Sequence, residues 1–199
     1  MTEDAKPLVS DERLEYFLKQ KLDEVLRKNK IETSDTAQFY VWNLLLHPPV
    51  AKVDRKLATL PLAITYSQAQ SRGIGSQQSV ADFKLVGDVC LLVAGFWWNS
   101  LAKSLVDADY FIGLGRSAYD NVSRTDSDLS EVLGELSVYF QEITNALIEM
   151  SINLNMTKTS DSDIFRMYEV WIHTQNEVLA KILVEHGVIL SDPRSRRMH

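Results

Sequence analysis

The sequence predicts an all-α, single-domain bundle of about seven helices, closed by a long C-terminal helical hairpin. Apolar residues recur at three- and four-residue spacing along most of the chain. Ser and Asp capping signals precede these runs, and the alternating patterns of strands are scarce. With 199 residues, 45% of them hydrophobic, the chain is long enough to bury one core without disulfide or metal support. The expected domain covers 1–190, and 191–199, with Arg194, Arg196 and Arg197, is expected to be a frayed basic tail.

Ser10-Asp11-Glu12 reads as an N-cap with acids in the first turn. Behind it Leu14, Leu18, Leu22 and Val25, with Phe17 and Leu26, form an apolar stripe to about Lys30, and Glu24 precedes Lys28 in the favoured ion-pair order. The second helix starts at Ser34/Asp35, carries Phe39, Tyr40, Trp42 and Leu46, and must stop at His47-Pro48-Pro49. A third takes Thr59 as its N-cap with Pro61 in the first turn and runs to about Arg72, closed by Gly73. The fourth follows the Ser76 cap. It is apolar on all sides from Leu85 to near Gly95, which marks the centre of the domain.

A short helix is expected from Asn99/Ser100, and another from Asp107 or Asp109 to about Ser123. Beyond the polar stretch 120–128, Leu129, Leu133, Leu136, Phe140, Ile143, Leu147, Met150 and Leu154 form a heptad seam that serves a bundle core or a dimer equally well. The last helix runs from Ser160/Asp161 through Ile164, Tyr168, Trp171, Val178 and Ile182 to Gly187.

Composition excludes several function classes. The chain has 21 basic and 27 acidic residues, for a net charge of −6. That balance argues against a nucleic-acid or anionic-membrane binder. Its most apolar window, Leu85 to Trp98, is too short to span a bilayer and contains Asp88. The single cysteine, Cys90, lies among Val89, Leu91 and Leu92 and is expected to be an inert core residue. With an acidic N-terminus, these features point to a cytoplasmic chain.

No catalytic constellation and no metal site are expected. None of His47, His173, His186 and His199 has Glu three residues before it, as helical di-iron sites require. There is no G-x-S-x-G and no phosphate-binding glycine pattern. No cofactor is implied.

Two sets of residues carry the functional expectations. Asp88 lies in the most apolar helix and must find a partner, with Lys84 and Arg116 as the candidates. Asp107, Asp109, Arg116 and Tyr119 follow nearby, and Asp109, Arg116 and Tyr119 are spaced to share a helical face. Such a cluster either orients a polar ligand or locks the packing. The second set is a protein-contact surface: the Trp97/Trp98 corner, or the acidic heptad helix with Glu131, Glu135, Glu142 and Glu149.

The run from Gly95-Phe96-Trp97-Trp98 through Asp107-Ala108-Asp109-Tyr110-Phe111 to Gly115-Arg116-Ser117-Ala118-Tyr119 resembles a family of uncharacterised bacterial all-helical proteins. The resemblance implies a bacterial, cytoplasmic setting and brings no activity with it. The leading expectation is therefore a non-enzymatic protein-interaction or regulatory module, with a protein partner or self-association. The alternative is a small-molecule-binding protein or enzyme built on Asp88, Asp109, Arg116 and Tyr119.

Overall fold

Capping and proline signals set the helix boundaries. The computed structural model describes residues 11–49, 59–98, 108–155, 164–165, 167–168, 171–172 and 177–190. In chain order the helices are α1 (Asp11–Lys28), α2 (Asp35–Leu46), α3 (Thr59–Arg72), α4 (Gln77–Leu91), α5 (Ala108–Ser123), α6 (Ser130–Val138), α7 (Phe140–Asn155) and α8 (Glu177–Glu185). There is no strand among the described residues. Residues 99–107, including Asp107, lie outside them, as do 156–163, with the expected Ser160/Asp161 cap, and 191–199, where the basic tail is expected.

The expected caps are present at α2 and α4. Ser34 Oγ accepts from Ala37 N–H (3.2 Å), and Ser76 Oγ accepts from Ser79 N–H (3.2 Å). Gly73 and Gly187, both left-handed, stand just beyond the ends of α3 and α8. α1 ends differently, because a lysine takes the left-handed position. Lys30 has φ +54, its N–H donates to Arg27 O (3.2 Å), and Ile31 N–H donates to Leu26 O (3.0 Å). That is a Schellman closure without glycine, sealed by buried Ile31 and Leu26.

α4 is the centre of the bundle, packed between α3 and α5, and every residue from Val86 to Gly95 is buried. It passes directly into a π-helical turn, Leu92–Phe96, which packs on α7. α5 also packs on α6, α2 lies against α1 and α6, and α1 lies along α7. Two glycines allow the α4–α5 approach. A Cβ on Gly87 would sit 2.2 Å from Tyr119 Cε1, and one on Gly115 would sit 2.7 Å from Cys90 Cβ and 2.4 Å from Phe140 Cζ.

The heptad seam is core. Leu133, Leu136, Phe140, Ile143, Leu147 and Met150 are all buried, although the helix is interrupted at Tyr139 and forms α6 and α7. A different face of α7, with Ile148 and Ile152, builds a second cluster with Trp98, Met167, Trp171, Leu179, Ile182 and Leu183. This places the C-terminal residues against α7, as a hairpin requires.

Two expectations about α1 need correction. Leu14 and Phe17 are exposed (47% and 41%), so the buried stripe begins at Leu18. Glu24 does not pair with Lys28. It accepts from Lys21 Nζ (2.8 Å), and Lys28 reaches across to Glu149 on α7.

Candidate functional site

Asp88 sits in the all-apolar stretch of α4 and is 2% exposed. A carboxylate there is stable only if its oxygens are occupied. Three donors do this. Tyr40 Oη on α2 and Tyr119 Oη on α5 each donate to Oδ1 at 2.7 Å, and Lys84 Nζ, one turn back on α4, donates to Oδ2 at 2.6 Å. Lys84 Nζ also stands 5.3 Å from the centre of the Tyr40 ring. Tyr40 and Tyr119 meet edge to face, with ring centres 6.4 Å apart.

Burial, then the nearby Asp88 charge, pushes both phenols above their ordinary ionisation range. The tyrosines are therefore held as neutral donors. The network joins three helices and reaches solvent at Lys84, whose side chain is 38% exposed.

Of the polar cluster expected from the sequence, the structure brings together Asp88 and Tyr119. Lys84, rather than Arg116, is the cationic partner of Asp88. Arg116 and Asp109 are both exposed on α5 and lie outside the buried network. The residue the sequence did not single out for this network is Tyr40. Its only signal was a phenol on the apolar α2, and no spacing rule links it to Asp88 across 48 positions.

Neither expected protein-contact surface is presented whole. Glu149 is 2% exposed and accepts from Lys28 and from Asn29 Nδ2 (2.8 Å). Glu135 accepts from Ser34 N–H (2.6 Å) and Ser34 Oγ (2.5 Å) at the start of α2. Glu131 and Glu142 remain exposed. The acidic heptad helix gives up two of its four acids because α7 is covered on two sides and α2 begins against α6. Trp98 is buried in the second cluster with no acceptor for its indole N–H among the described residues, and half-buried Trp97 packs on the main core. The corner is therefore core.

An open groove lies where α1 meets α2. Its volume is about 470 Å³, and Lys19, Asp35, Thr36, Gln38 and Phe39 line it. Phe39 is 56% exposed, and its ring lies 5.2 Å from that of Trp42. Trp42 is anchored by its indole N–H, which donates to Glu15 O (3.1 Å). Cys90 is buried, and burial raises its thiol pKa, as expected for an inert core residue.

Among the described residues, no group of three or more His, Cys, Asp and Glu could hold a metal ion, and no helix is long and apolar enough to cross a membrane. Compared with known proteins, the chain matches no family model, no curated protein and no solved structure.

Proposed function

We propose that this chain is a non-enzymatic protein-interaction module that docks a polypeptide in the α1–α2 groove. The observation that carries this reading is Phe39, a large aromatic more than half exposed beside a groove whose other described lining residues carry polar side chains. An aromatic anchor within a polar rim is the usual anatomy of a binding hot spot. The anchored Trp42 ring holds Phe39 from behind, which reduces the ordering cost of binding.

The rival reading, a polar ligand held by Asp88, Asp109, Arg116 and Tyr119, has less support. Asp88 and Tyr119 are occupied with each other, and Arg116 faces solvent. The test is a photo-cross-linking phenylalanine analogue at position 39, with the exposed Val184 position as control. A discrete polypeptide adduct from position 39 alone is expected. No adduct at 39, or the same adducts from both positions, would overturn the proposal.

A further inference from the structure

We infer that the polypeptide docked in the α1–α2 groove is a second copy of this chain; this rests on the interaction reading above and names its partner. A two-fold contact sets a patch against itself, so the patch must be complementary to itself. A lining of one sign would repel its own copy. This groove instead carries a cation on the α1 wall, Lys19, and an anion on the α2 wall, Asp35, together with an exposed aromatic, Phe39. A half-turn about an axis between the Lys19 and Asp35 side chains sets each Lys19 against the other copy's Asp35, with both Phe39 rings lining the same contact.

The other described lining residues, Thr36 and Gln38, are uncharged. Lys19 is paired within its own chain with Asp23, one turn along α1, but both side chains are exposed (38% and 47%). Such a pair is weak because water and salt screen it, and it exchanges readily for one shielded from solvent. Asp35 sits in the first turn of α2, where the helix dipole favours its charge.

Sedimentation velocity on the full chain, across concentration and salt, tests this. A dimer that weakens as salt rises is expected, and Phe39→Ser should leave a monomer with an unchanged melt. Lys19→Glu and Asp35→Lys should each weaken self-association by at least about tenfold, since like charges then meet twice across the two-fold. An equimolar mixture of those two variants should associate again, because each chain supplies the charge the other now lacks. That rescue also separates a charge effect from any loss of α2 stability in Asp35→Lys.

A wild-type chain that stays monomeric, or a mixture that fails to associate, would overturn the inference. If the wild type is monomeric but position 39 still cross-links to another polypeptide, the interaction reading stands and the second copy is wrong. If position 39 forms no adduct, both fall.

Discussion

Asp88 is occupied from three helices, and its donors are not equivalent. Tyr119 is fully buried, so Asp88→Ala leaves its hydroxyl only Tyr40 Oη to donate to and opens a cavity. The expected loss of unfolding free energy is about 2–4 kcal/mol, measured by urea denaturation. Tyr40→Phe removes one of the three donors but leaves Tyr119 and Lys84 on the carboxylate, so it should cost about 1.5–3 kcal/mol. Arg116→Ala should stay within about 0.5 kcal/mol of wild type, since the side chain is exposed and the carboxylate pairs with Lys84. A loss of several kcal/mol there would mean that Arg116, not Lys84, neutralises Asp88.

At the scale of helices, two termini use unexpected chemistry. A capping box places Glu three residues after the cap, to bind the cap residue's own N–H. In α2 that position is Ala37, and Glu135 of α6 supplies the missing carboxylate from another helix. Glu135→Ala should therefore cost about 1 kcal/mol and should loosen the α2 N-terminus first, read as faster amide exchange at Ser34 and Ala37. At the end of α1, Lys30 holds a conformation that glycine reaches without strain. Lys30→Gly should raise stability by about 1 kcal/mol in the same denaturation assay.

These ends also show what the sequence could and could not reveal. Helix boundaries rest on neighbours in the chain, so Ser34, Ser76, Gly73 and Pro48 marked them correctly. The heptad spacing likewise identified the buried face of α6 and α7. Partners across helices leave no such trace. Glu135 and Glu149 look like surface acids until α2 and α1 are laid against them, and Tyr40 looks like one more aromatic until α4 brings Asp88 beneath it. The groove was equally hidden, because its lining comes from α1 and α2 together.

Over the whole molecule, the Asp88 network sets an alkaline limit. Tyr40 and Tyr119 keep their protons in the fold above the ordinary phenol value of about 10, whereas the unfolded chain releases them there. Above that pH the native state binds more protons than the unfolded state, so stability falls as pH rises. Each tyrosine contributes a slope of up to about 1.4 kcal/mol per pH unit, present above pH ~10 and absent below it. Urea midpoints between neutral and strongly alkaline pH should show this fall, and Tyr40→Phe should make it shallower. An equally steep fall in Tyr40→Phe would assign it elsewhere.

The π-helical turn at Leu92–Phe96 amounts to one residue more than an α-helix would hold over the same length. Because each residue turns an α-helix by about 100°, that extra residue decides which way Phe96, Trp97 and Trp98 point. It delivers Trp98 to one hydrophobic cluster while Phe96 and Trp97 pack on the other. Wound as an ordinary α-helix, the same residues would carry the aromatic triplet about a quarter-turn out of place with every side chain chemically intact. The register of the chain, more than the size of any one tryptophan, is what ties the two clusters together.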